Sequence, residues 1–145
     1  MAYRFPLATL LRLREIAEQR EERLLGQIHN QIAESRQTLA DLASQRQAVI
    51  QQREQALLRL TSGFDLMDSY AQVRVIEGLE DKGREHLAKL SVLRDQQMKI
   101  YEAAHRDAEL LLDIREDRKN EFQRQREKQE QSALDDNFSS RRSLN

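Results

Sequence analysis

A chain of 145 residues with 24 Lys+Arg against 25 Asp+Glu holds one domain at most and carries a formal net charge of -1. That balance excludes a polybasic nucleic-acid arm, and with no cysteine there is neither a disulfide framework nor a thiolate metal site. Charged residues make up 34%, hydrophobic ones 39% and aromatic ones 5%, the bias of long helices and coiled coils, while four Gly and one Pro are too few turn formers for a β-sandwich or an α/β fold.

Pro6 has no amide hydrogen to donate and so fits the first turn of a helix, which predicts a start near Phe5 to Leu7. From there Leu10, Leu13, Ala17 and Leu24 form one apolar frame. From Leu25 onward, alternating steps of three and four pass through Leu25, Ile28, Ile32, Ser35, Leu39, Leu42, Arg46, Val49, Arg53, Ala56 and Leu60, of which eight of eleven are apolar. That is a seam for a partner helix. Four-residue steps through Leu24, Ile28 and Ile32 join the two frames in the manner of a stutter.

The cluster Thr61-Ser62-Gly63-Phe64-Asp65 is the one clear break: Gly63 suits the left-handed residue that ends a helix, and Asp65 suits the cap of the next. The second frame runs through Leu79, Gly83, His86, Leu90, Leu93, Gln97, Ile100, Ala104, Asp107, Leu111 and Ile114, with seven of eleven positions apolar. Gly78 and Gly83 each lower helix stability by about 1 kcal/mol relative to Ala, so bending or fraying is expected there. Past Phe122 apolar positions almost vanish, residues 123–131 being only Gln, Arg, Glu and Lys, and Ser132 to Asn145 reads as disordered.

The expected fold is therefore all-α, a long antiparallel two-helix coiled-coil hairpin with a disordered C-terminal tail. Helix one covers about 5–60, the turn 61–65, helix two about 66–131 and the tail 132–145. Helices of such length, at about 1.5 Å per residue, would make a thin rod. A parallel homodimer with one long helix per chain is the alternative, and it requires a helix that continues through Gly63. No run of about 18 apolar residues is present to span a bilayer, and Arg12, Arg14 and Glu15 interrupt any signal-peptide core, so a cytoplasmic protein without membrane insertion is expected.

Catalytic motifs are weak. Glu102-Ala103-Ala104-His105 spells the Glu-x-x-His step of di-iron bundles, but those sites need two such steps and further carboxylates on four helices. His105-Arg106-Asp107 imitates a kinase catalytic loop yet lies inside a helical pattern. His29 falls on the outer face of helix one and His86 in the second seam frame. No Walker loop, nucleophile elbow or dinucleotide fingerprint occurs, which argues against an enzyme and against a cofactor. Arg115, Arg118, Lys119, Arg124 and Arg126 alternate with Glu116, Asp117, Glu121 and Glu127, a solvated helix face and not a nucleic-acid site.

The two ends carry a more specific pattern. At the start stand Phe5-x-Leu7-x-x-Leu10-Leu11-x-Leu13-Arg14-Glu15 and then Glu18, Glu21 and Glu22. Toward the other end come Tyr101-Glu102-Ala103-Ala104-His105-Arg106-Asp107, Leu111, Arg115, Arg118, Glu121-Phe122, Glu127, Gln131 and Leu134-Asp135-Asp136. This pattern resembles the FliJ family of flagellar type III export proteins, to which the stalk proteins of non-flagellar secretion are related. The chain departs from the family at Leu110-Leu111-Leu112-Asp113, where a basic residue is common, and after Asp135-Asp136.

The resemblance implies an antiparallel coiled coil similar to the stalk of rotary ATPases. Its partners would be the hexameric export ATPase, whose ring assembly it would promote, the membrane export gate protein and unladen export chaperones. Its place would be the cytoplasm, peripherally associated with the inner membrane through the export apparatus. By the same resemblance, Leu42, Val49, Val73, Ile76 and Leu79 near the turn are the candidates for gate contact. Phe5, Leu10, Leu11, Tyr101 and Phe122 are the candidates for the end that meets the ATPase ring. Each of these residues also fits a plain intramolecular seam or terminal clamp.

Overall fold

The computed structural model describes residues 2–59 and 63–144, with backbone alone at 64 and 65. The described residues hold two helices, α1 over Ala8–Leu58 (51 residues) and α2 over Gly63–Leu144 (82 residues), and no strand. Pro6 lies just before α1, whose first turn closes with the Ala8 amide donating to the Phe5 carbonyl at 3.1 Å. At the other end the Arg59 amide is shared between the carbonyls of Gln55 and Ala56, at 3.2 and 3.1 Å, which is how a last turn tightens. Thr61 and Ser62 of the predicted turn lie outside the described residues. Gly63 does not end α1; it opens α2 without a left-handed backbone, and Asp65 falls inside the helix it was expected to cap.

The helices pack against each other in two compact units, one formed by Met1–Glu21 with Tyr101–Asn145 and the other by Glu22–Ile100. In the second unit Leu39 meets Gly83, Arg46 meets Glu80 and the Arg53 guanidinium lies 4.3 Å from the centre of the Tyr70 ring. As residue number rises on α1 it falls on α2, so the pairing is antiparallel. A continuous single helix per chain is thereby replaced by a helix pair within one chain.

On α1 of this unit the heptad frame holds. Leu25 and Ile32 are buried, and Ile28, Ser35, Leu39, Leu42, Arg46, Val49, Arg53 and Ala56 are partly buried, while Leu60 lies outside the described residues. On α2 only half of the expected frame holds. Gly83, Leu90 and Gln97 face α1, but Leu79, His86, Leu93 and Ile100 are exposed, and the seam instead takes Val73, Ile76, Glu80, Leu87 and Arg94. The two readings share every seventh residue and differ in whether the three-residue step comes before or after it. Leu79, Leu93 and Ile100 pull a count of apolar residues toward the wrong choice, because the true positions include Glu80 and Arg94.

Glycine at 83 is explained by close approach and not by bending, since α2 passes through Gly78 and Gly83 without interruption. A Cβ on residue 83 would stand 2.8 Å from Cδ2 and 3.4 Å from Cγ of Leu39, whereas one on residue 78 would meet nothing within 4 Å. Gly78→Ala is therefore expected to stabilise the helix pair by about 0.5 to 1 kcal/mol. Gly83→Ala must also rotate Leu39 away from its well, and should fall below Gly78→Ala by about 1 kcal/mol. Urea-unfolding midpoints of the two variants measure the difference.

In the first unit Leu11, Ala108 and Leu111 are buried, with Phe5, Leu7, Ala17, Tyr101, Ala104, Leu112, Ile114 and Phe122 partly covered. The frame expected through Leu10 and Leu13 is displaced by one residue: both are exposed, and Leu11 is 4% exposed in their place. Continuing the seam steps backward from Leu25 reaches Glu21, Glu18, Arg14, Leu11 and Leu7, so one heptad register serves α1 and no stutter is needed. The charged residues at 14, 18 and 21 concealed it. Beyond Phe122 every described side chain is exposed, yet α2 continues to Leu144 where a disordered tail was expected. Residues 123–144 contain no Gly or Pro, and local pairs such as Arg126 with Glu130 at 3.3 Å support a helix whose side chains are all exposed.

Candidate partner-binding surfaces

The gate candidates divide by exposure. Val73 is buried, and Leu42, Val49 and Ile76 are partly buried along the α1–α2 seam of the second unit, whereas Leu79 is 47% exposed beside it. Next to these, α2 displays apolar residues that periodicity did not single out: Met67, Tyr70 and Val75 are exposed and line a shallow groove with Ala71 and Arg74. The signal was available as a run of large apolar residues soon after the turn cluster. A search for seam positions passes over them because they stand off the heptad frame.

A charged layer crosses the seam close by. Glu80 is 5% exposed, and its Oε1 lies 2.8 Å from Nε of Arg46, in an ion contact whose N–H is poorly aligned for a hydrogen bond. Arg84 approaches the other carboxylate oxygen at 3.8 Å. A buried pair at seam positions contributes little net stability but disfavours slipped registers, in which the carboxylate would lose its partner.

Of the candidates for the ATPase end, Leu11 is buried, Phe5 and Phe122 are partly covered, and Leu10 is exposed. The Tyr3 ring packs on Phe122 with centroids 5.4 Å apart and planes tilted by 47°. Tyr101 does not join this cluster. It stands at the opposite limit of the first unit, stacked on His105 at 6.0 Å.

His105 is a titratable group whose surroundings displace its pKa. Its Nδ1 lies 2.7 Å from Oε1 of Glu18 across the helix pair, and its Nε2 lies 3.6 Å from Oε2 of Glu109 one turn on. The hydrogen bond to Glu18, helped by the charges of Glu18 and Glu109, raises its pKa above the ordinary imidazole value against an opposing desolvation. Arg14 and Asp107 are 3.7 Å apart nearby, both about half exposed, and contribute little. Because the folded-state pKa is raised, the stabilisation is fully present below the unfolded imidazole pKa and disappears as pH rises through the folded value. Glu18→Gln should remove that slope and return His105 toward the ordinary range, as an NMR titration of the imidazole would report. Among the described residues, no group of three or more His, Cys, Asp and Glu side chains is placed to hold a metal ion.

A family model for the flagellar FliJ protein matches residues 3–145. The chain belongs to the FliJ family. No curated protein and no solved structure matches it. Membership makes the chain a component of the flagellar export apparatus, in a family of structural parts and not of known enzymes. No helix among the described residues is long and apolar enough to cross a membrane.

Proposed function

We propose that this FliJ-family chain acts as a stalk for the hexameric export ATPase, promoting ring assembly, linking the ring to the membrane export gate protein and handling unladen export chaperones. The observation that carries the reading is the family match over nearly the whole chain, supported by an antiparallel helix pair with a clamped terminal unit. Phe5, Leu10, Leu11 and Phe122 are the proposed ring end, with Tyr101 bracing the same unit from its far side. Leu42, Val49, Val73, Ile76 and Leu79 are the proposed gate region. Within that set Leu79 is the most exposed, Leu42, Val49 and Ile76 are partly covered, and Val73 is buried. The working location is the cytoplasmic face of the inner membrane, reached through the apparatus and not by insertion.

A stalk that binds the ring better than free subunits favours assembly by mass action. Titration into the cognate ATPase is therefore expected to raise hydrolysis most at low ATPase concentration, where rings are incomplete, and to shift its sedimentation. Truncation before Tyr101 should abolish the effect by leaving Leu11 without Ala108 and Leu111, whereas truncation after Ser132 removes only unpacked helix and should do less. An ATPase whose rate and sedimentation stay unchanged at every concentration would sink the stalk reading.

A further inference from the structure

One flank of the second unit is uncharged. Immediately beside the seam stand Leu24, Gln31 and Thr38 on α1 and His86, Leu93 and Ile100 on α2, all exposed. In a chain that is 34% charged this is an unusual place to find no Asp, Glu, Lys or Arg, because coiled-coil flanks are where charges ordinarily gather. The opposite flank does carry them, at Arg36, Glu77 and Arg84. Leu93 and Ile100 are 49% and 50% exposed, so half of each side chain faces solvent with no helix of this chain covering it. Gln31, Glu34 and Thr38 from α1 and Gly83 and His86 from α2 line one groove, which places both rows on a single face.

The charges just outside this stripe select its occupant. The next row outward on α1 is acidic, with Glu34 and Asp41, and on α2 it is basic, with Lys82 and Lys89; all four are exposed. The Leu39–Gly83 and Arg46–Glu80 contacts set the register, so Glu34 is level with Lys89 and Asp41 with Lys82. A second copy brought face to face by a two-fold axis along the helices sets α1 of one copy over α2 of the other at the same level. Each acidic row then meets the partner's basic row, twice by symmetry, around an uncharged centre in which Leu24, Leu93 and Ile100 supply the apolar part and Gln31, Thr38 and His86 the polar part. A two-fold axis across the helices would instead stack acid on acid and base on base.

We propose that this face is a self-association surface: two copies pair through it into an antiparallel four-helix arrangement in which every neighbouring pair of helices is antiparallel. The interface is isologous, as closed dimers require, and the charge rows choose one orientation. It buries Leu93 and Ile100 as bundle residues, a role their seven-residue spacing already suits. The surface rests on geometry independent of the stalk reading.

Sedimentation equilibrium of the full chain from about 1 to 100 µM tests the proposal, with a dimer expected to grow in with concentration. Leu93→Lys is expected to weaken dimerisation by roughly tenfold or more with unchanged helicity, because the residue is outside the seam. A Glu34→Lys/Asp41→Lys variant makes both rows basic and should self-associate poorly, and Lys82→Glu/Lys89→Glu makes both acidic with the same result. Mixed, the two should form a heterodimer at least as tight as the parent. A chain that stays monomeric throughout, a dimer indifferent to Leu93→Lys, or a mixture no tighter than its components would each overturn the assignment.

Discussion

Arg46→Met is expected to destabilise the second unit by about 2 to 3 kcal/mol, read as a lower urea-unfolding midpoint by circular dichroism. The substitution keeps the aliphatic stem of the arginine and removes its charge. Glu80, whose side chain is 6% exposed, then faces the seam with only Arg84 at 3.8 Å. Loss of one partner of a fully buried pair costs more than this, but the Arg46 side chain is 37% exposed and Arg84 remains, so the lower figure applies. Glu80→Leu should behave differently, since an unpaired Arg46 can turn its head to water while leucine fills the seam. The double variant Arg46→Met/Glu80→Leu is expected to equal or exceed the parent in stability. A cycle in which the two single changes add without coupling would show that the layer is not an interacting pair.

Leu90→Ala and Leu93→Ala provide the second large effect, and their comparison decides the phase of α2. Leu90 is 4% exposed against α1, so truncating it opens a cavity and should cost about 2 to 3 kcal/mol. Leu93 is 49% exposed, and its truncation in the monomer should cost less than about 1 kcal/mol. Both measurements belong at a chain concentration low enough that association does not contribute. Periodicity alone assigns both leucines to one seam, and equal losses would restore that assignment.

The candidate surfaces were legible to different degrees, for physical reasons. The heptad frame reached Leu42 and Val49 on α1, whereas Val73 and Ile76 lie before the first residue of the frame read on α2 and were marked through the family resemblance. Leu79 could also be found, but it was assigned the wrong surroundings, since the position beside it belongs to Glu80 and a glutamate is not counted as core. Met67, Tyr70 and Val75 escaped because amphipathic counting looks for a buried stripe, and these residues form an exposed one. The Glu18–His105 bond joins residues 87 positions apart in sequence, and no local pattern announces it.

The helical class, the reversal near Gly63 and the α1 seam of the second unit from Leu25 to Ala56 follow from the residues alone, because strong helix formers, scarce glycine and a sustained heptad of leucine and isoleucine are local properties. Family membership was likewise readable in the residues at the two ends. Tertiary structure alone decided which of two one-residue-shifted stripes of α2 meets α1. It did so through pairwise fits that a single helix does not contain: Leu39 against the bare backbone of Gly83 and Arg46 against Glu80. Those contacts turn a carboxylate inward and leave Leu79, Leu93 and Ile100 in solvent, a choice that hydrophobicity read along one strand of sequence would make the other way.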